Sequence, residues 1–195
     1  YRIQKFNSNG DFLDQWQCEE GYFYECMPCD IAVNNDGQLY VVDCKNDRIQ
    51  KLNENGEVIN KWGSYGLGEE HFVSASSIAL DKSGNVYVTD SNNHNIQKFN
   101  PEGKLINYWG GTSSSVGQFN FPNGIVIDED GNVHVTDGIN HRIQVFSADG
   151  SFIRQWGQYG RKPGEFQTPI DLVITQNGEM YVLDLENRDE INFAY

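Results

Sequence analysis

The sequence predicts an all-β fold built of four-stranded antiparallel blades arranged as a propeller, and three observations predict it. The chain repeats itself every 47 residues, each period holds four short β-type runs, and a long crossover of near-constant length joins one period to the next. Asp43, Asp90, Asp137 and Asp184 stand 47 apart, as do Gly37, Gly84, Gly131 and Gly178, while Trp16, Trp62, Trp109 and Trp156 are separated by 46, 47 and 47. A period of this length with no 3.6-residue apolar pattern rules out helical and leucine-rich repeats.

Within a period the runs are seen in SSIAL, NVYVT, NIQKF and KLINYW, strands a to d of the repeat that begins near Ser77. They are rich in Val, Ile, Tyr and Phe and bounded by turn residues. NNDG, DKSG and DEDG between a and b, and NENG, NPEG and SADG between c and d, each end in a glycine suited to a positive-φ turn position, so both pairs are hairpins. Between b and c the chain runs D-x-x-N, whose side chains bond nearby backbone and hold a tight connection. The crossover is longer, with 15 residues between Trp62 and Ile78. That spans the roughly 15 to 20 Å needed to pass from an outer strand to the inner strand of a neighbouring sheet.

The whole chain, 1–195, reads as one propeller or a portion of one, with units at about 1–17 (second half only), 28–63, 75–110, 122–157 and 169–195 (incomplete). Four periods separate Ile3 from Ile191, and both ends fall in strand c. A closed four-blade ring would join c and d from the start to a and b from the end; otherwise the chain is part of a larger ring, which the absence of an initial Met favours. Fourteen Lys and Arg against 28 Asp and Glu leave a net charge of −14, which repels phosphate backbones and anionic lipid surfaces. No nucleic acid and no membrane insertion are expected, because the longest apolar runs are strand-sized.

N-H-N-I-Q-K-F at 93–99 and N-H-R-I-Q-V-F at 140–146, each after G-N-V-[YH]-V-T-D, resemble NHL repeats, and the resemblance covers the chain. It implies a propeller that usually closes with six blades. Some related propellers are enzymes, and likeness to the lyase domain of the peptide-amidating enzyme implies metal-binding histidines at the start of strand a. Those positions carry Cys29, Ser76, Asn123 and Ile170 instead. A lactonase-type site would need a Glu, Asn and Asp cluster at the channel mouth, where Asp30, Ser76, Asn123 and Asp171 are the candidates. RNA binding, known for some NHL proteins, would need a basic face, and here the only basic run is the R-I-Q-K of strand c, read as an outer-strand position.

The remaining candidates read as structural. The four aspartates ending strand b, Asp43, Asp90, Asp137 and Asp184, sit in the same turn, with Arg48 and Arg142 five residues after two of them, so turn bonding and paired charge account for them. Phe72, Phe119 and Phe166 recur as crossover anchors packed between blades. His94 and His141 share one repeat position, which Asp47 fills in the first copy; His134 replaces a strand b tyrosine, and His71 has no evident partner.

Cys18, Cys26 and Cys29 fall in the crossover QCEEGYFYECMPCD, where Glu25 stands in place of the anchoring Phe, and Cys44 ends the next strand b. The a–b hairpin brings Cys29 opposite Cys44, which favours Cys29–Cys44 and Cys18–Cys26 disulfides; a Cys₄ zinc site is the rival. The expected function is a non-catalytic extracellular or cell-surface scaffold for protein interaction. Its partner would be another protein, or further blades of the same or another chain, including a homo-oligomer. The alternative is a metal-assisted lyase or lactonase. No cofactor is expected, and calcium or zinc would be the metal of that alternative.

Overall fold

The computed structural model describes residues 1–16 and 26–186. Three complete blades follow one another: β3 (Pro28–Val33) to β6 (Val58–Trp62), β7 (Ala75–Leu80) to β10 (Leu105–Gly110), and β11 (Pro122–Ile127) to β14 (Phe152–Trp156). Each is a four-stranded sheet in chain order, and every neighbouring pair is antiparallel. A two-stranded sheet precedes them, β1 (Ile3–Phe6) with β2 (Phe12–Trp16), and another follows, β15 (Pro169–Ile174) with β16 (Met180–Asp184). Among the described residues the two half-blades remain separate sheets. The pairing of 191–195 with 2–6 that a four-blade ring requires lies outside them.

Local chemistry sets the turns. At the a–b hairpin of the first blade Asn34 Oδ1 accepts the N–H groups of Asp36 and Gln38, and Gly37 takes φ 75°. Asp81 and Gly84 repeat the arrangement in the second blade. The b–c connection needs one left-handed residue, supplied by Asp47, His94 and His141 at φ 48°, 55° and 57°. Asp and His tolerate that region better than most residues, which gives the shared position a backbone reason.

The first strands of successive blades pack in chain order, β3 on β7, β7 on β11 and β11 on β15. Between blades one and two lies a core of Tyr40, Val42 and Ile49 with Phe72, Ile78 and Phe99; Tyr87, Ile96, Phe119, Ile125 and Phe146 form its counterpart one period on. The leading half-blade joins through Ile3 and Trp16 against Leu39, Val41 and Leu52. A second device recurs at the outer edge, where the strand d tryptophan of one unit covers the c–d turn glycine of the next. An added Cβ would come within 2.0 Å of Trp16 at Gly56, 2.6 Å of Trp62 at Gly103 and 2.8 Å of Trp109 at Gly150.

The ends differ from the middle. Tyr40 and Tyr87 are 0% exposed, whereas Tyr181 at the same position of the last unit is 61% exposed. Likewise Ile78 is 5% exposed and Ile31, one period earlier, 41%. Each end therefore presents an apolar face of the kind that packs between blades.

Candidate functional site

The buried aspartates form the densest polar centres. Asp43, Asp90 and Asp137 are fully buried at the ends of β4 (Leu39–Asp43), β8 (Val86–Asp90) and β12 (Val133–Asp137) and accept N–H groups from the crossover entering their own blade. Met27 donates to Asp43 at 3.0 Å, Ser74 to Asp90 at 3.0 Å, and Asn120 to Asp137 at 2.7 Å. Thr168 makes the same bond to Asp184 at 2.7 Å, although that carboxylate is exposed. The turn asparagine adds a bond in each complete blade, from Asn46, Asn93 and Asn140. In the first and third blades an arginine and a glutamine complete the set: Arg48 Nε (2.9 Å) and Gln50 Nε2 (3.0 Å) on Asp43, Arg142 Nε (2.7 Å) and Gln144 Nε2 (3.0 Å) on Asp137.

The second blade departs from this. Asn95 stands where the arginine would be, and Gln97 turns its amide to the His71 and Gly68 carbonyls. Burial raises the Asp90 pKa from its ordinary value against the pull of the Ser74, Val73 and Asn93 bonds, and burial also raises that of Asp137. These groups lock crossover to blade. Their carboxylates are buried and bonded to several donors each.

Sequence reasoning misplaced strand c. It is the third strand of each blade, and its glutamines Gln50, Gln97 and Gln144 are buried to 1% exposure or less, with Arg142 buried beside the last. A recurring polar residue beside an Ile was the available signal; the two basic residues of R-I-Q-K drew the reading outward. Phe72 and Phe119 are fully buried and Phe166 partly, with Phe72 6.0 Å from Phe99 and Phe119 5.5 Å from Phe146.

Each histidine has a partner within the chain, although only His134 is buried. His94 Nδ1 accepts the Phe121 N–H at 3.1 Å, its pKa lowered by burial, and His141 Nδ1 meets the Gln167 carbonyl. Each links a b–c turn to the crossover entering the following unit. His134, 2% exposed, bonds Asp128 at 2.9 Å, and His71 Nδ1 meets the Glu69 carbonyl at 2.8 Å.

The first strands converge on one cavity of about 250 Å³, which brings together Asp30, Ser76, Asn123 and Asp171 with Cys29 and Ile170. Asp30 Oδ2 already accepts the Ser77 hydroxyl at 2.6 Å and the Ile78 N–H at 2.8 Å, tying the first blade to the second. Asp171 Oδ1 takes the Leu172 N–H at 2.8 Å. Among the described residues no three His, Cys, Asp or Glu side chains gather as a metal-binding group.

At the rim of this cavity Cys29 and Cys44 form a disulfide, with their Cα atoms 6.0 Å apart. A bridged pair removes the four-thiolate zinc set. One period on, the same two positions hold Ser76 and Ser91, whose hydroxyls bond at 2.8 Å. Cys26 is buried, while Cys18, its expected partner, lies outside the described residues. The loops 110–118 and 159–165 were legible as rim loops suited to partner binding; the side chains most open to solvent on the crossover loops are Tyr65, Leu67, Val116 and Tyr159. Tyr65 and Tyr159 share one repeat position, held by Thr112 in the copy between them, whereas the positions of Leu67 and Val116 are filled by other residue types in the other copies.

Three segments, 26–52, 72–99 and 119–146, match the NHL repeat. No curated protein matches the chain by sequence. Among solved structures it is similar to a protein of unknown function from Bacteroides caccae, at TM-score 0.69 and 20% identity over 94% of this chain and 64% of that one. It is also similar to a catalytically inactive virginiamycin B lyase from Staphylococcus aureus with quinupristin, at TM-score 0.66 and 13% identity over 96% and 64%. Hydrazine synthase from Kuenenia stuttgartiensis gives TM-score 0.63 and 15% identity over 83% and 45%. At these identities the likeness is one of fold, and the chain spans less than two thirds of the length of each.

Proposed function

Because the chain carries NHL repeats, we propose that it is part of a larger propeller protein and acts as a non-catalytic scaffold for protein interaction, outside the cell or at its surface. The observation that carries this reading is a division of labour. The polar residues that recur, Asp, Asn, His and Gln, are bonded to other parts of the fold, while the crossover loops hold Leu67 and the pair Tyr65 and Tyr159, which share one repeat position, out to solvent. Loops held by a rigid sheet are where binding residues collect. The Cys29–Cys44 bridge supports an oxidising compartment, and the charge of −14 disfavours nucleic acid and anionic membranes as partners. Among the described residues no helix is long and apolar enough to cross a membrane.

The test is affinity capture from a cell-surface fraction with the native chain and with a Tyr65→Ser, Leu67→Ser, Tyr159→Ser variant of matched circular dichroism. The native chain is expected to retain a protein that the variant does not. Equal capture by both would remove the loops from the account.

A metal-assisted lyase or lactonase is the second reading, favoured by the cavity that Asp30, Asn123 and Asp171 share. It ranks below the first because Asp30 is already spent on Ser77 and Ile78.

A further inference from the structure

Grooves run between neighbouring a–b hairpins on the face opposite the crossovers, one between the first and second blades (about 520 Å³) and one between the second and third (about 360 Å³). The strand b tyrosines of the first two blades differ. Tyr87, fully buried in the second blade, donates its hydroxyl to Asp81 Oδ2 at 3.2 Å and to the Ala148 carbonyl at 3.4 Å. Tyr40, its counterpart one period earlier, is equally buried and lines the first groove, and its hydroxyl has no partner. One substitution distinguishes them. Asn34 replaces the aspartate, and its amide is spent on Asp36, Gln38 and the Gln38 side chain. The Pro101 carbonyl accepts from Lys51 at 3.1 Å just as the Ala148 carbonyl accepts from Lys98 at 2.9 Å, so the lysine contact is common to both blades. A buried hydroxyl without a partner is costly, and a ligand that bonds it recovers that cost.

We propose that the first groove binds a neutral saccharide, with one sugar hydroxyl bonded to Tyr40 and a C–H face against Val33 and Pro101. The lining selects this chemistry. Asp36, Asp81 and Glu102 accept from hydroxyls, Asn35 and Ser83 both donate and accept, and exposed Val33 offers an apolar platform. An anion meets the three carboxylates and the acidic chain, and a cation meets the Lys51 and Lys82 ammonium groups. A hydroxyl satisfies Tyr40 as donor or acceptor without a charge. The volume falls within the range of roughly 300 to 1,000 Å³ usual for small-ligand sites.

Amide chemical shifts of the ¹⁵N-labelled chain, titrated with glucose, galactose, mannose, N-acetylglucosamine, maltose and lactose, test the proposal, with glucuronate and glucosamine as charged controls. At least one neutral sugar is expected to shift Asn35, Asp36 and Ser83 while leaving Asp130 and Gly131 of the other groove in place. Tyr40→Phe weakens that binding about tenfold, the worth of one hydrogen bond, without lowering Tm. Asn34→Asp, which restores the internal acceptor, also weakens it and raises Tm. The proposal is overturned if no neutral sugar shifts these amides, if a charged control binds as tightly, or if Tyr40→Phe binds like the native chain.

Discussion

The second and third blades share a strand pattern and differ in how they hold the same buried aspartate. Both accept from the crossover backbone and the turn asparagine, but Asp137 is also met by Arg142, itself 6% exposed, and by Gln144, whereas Asp90 lies in an equally dry place without either. What recurs is the requirement that a carboxylate collect the crossover's N–H groups, and the counter-charge is optional. A buried ion pair is costly to break from one side because the surviving charge has no solvent. The two blades therefore have the same architecture and unequal sensitivity.

The largest expected effect follows at once. Asp137→Ala leaves the Arg142 guanidinium buried without its carboxylate and costs about 3 to 5 kcal/mol. Asp90→Ala costs about 1 to 3 kcal/mol, the loss of acceptors alone. Urea unfolding of the two variants measures the difference, and equal losses would remove the arginine from the account.

Next comes the Cys29–Cys44 pair against its Ser76–Ser91 counterpart. A bridge closing a 15-residue separation stabilises by about 3 kcal/mol, whereas Ser91→Ala removes bonds to Ser76 and the Pro122 carbonyl at a cost of about 1 to 2 kcal/mol. Thermal melts of Cys29→Ser/Cys44→Ser and of Ser91→Ala rank the two.

Glycines in turns of the same kind divide in the same way. Gly150 and Gly131 have φ of 82° and 84°, yet Trp109 covers only the first. Gly150→Ala is expected to cost about 2 to 3 kcal/mol through overpacking and strain, and Gly131→Ala about 1 kcal/mol through strain alone. Denaturant midpoints read the gap.

The smallest effect belongs to Asp47, which fills the left-handed turn position held by His94 and His141 in later copies. Burial first, then the charges of Asp90 and Asp43, push its pKa up to about 6. The folded chain thus holds a proton at Asp47 that the unfolded chain, titrating near pH 4, has released. The contribution of this group to stability is fullest at low pH and is lost as pH rises from about 4 through 6. Asp47→Asn is expected to gain about 1 kcal/mol at pH 7, reduced by solvent screening of a partly exposed carboxylate, and nothing at pH 4. A gain independent of pH would assign the effect to the backbone.

Period, strand order and hairpin turns were legible because Asp, Gly and Trp recur at fixed spacing and each serves a local need. The Cys29–Cys44 bridge was legible for the same reason, since hairpin register places the two residues together. The buried glutamines were not, because a polar residue beside a basic one reads as solvated until the aspartate beneath it is seen. The exposure of Ile31 and Tyr181 was also hidden: their residue types match buried copies, and only the missing neighbour distinguishes them. The channel cavity was anticipated as a place, but the spending of Asp30 on Ser77 and Ile78 depends on contacts across blades that one strand does not encode.

Recurring polar groups serve the fold, and where Asp30 and Asp171 line the cavity no group of three metal-ligating side chains forms among the described residues. Calorimetric titration of the purified chain with calcium and with zinc, repeated on Asp30→Asn/Asp171→Asn, tests this most directly. The account predicts no stoichiometric binding that depends on these two aspartates. One equivalent of either metal, bound by the native chain and lost in the double variant, would contradict it.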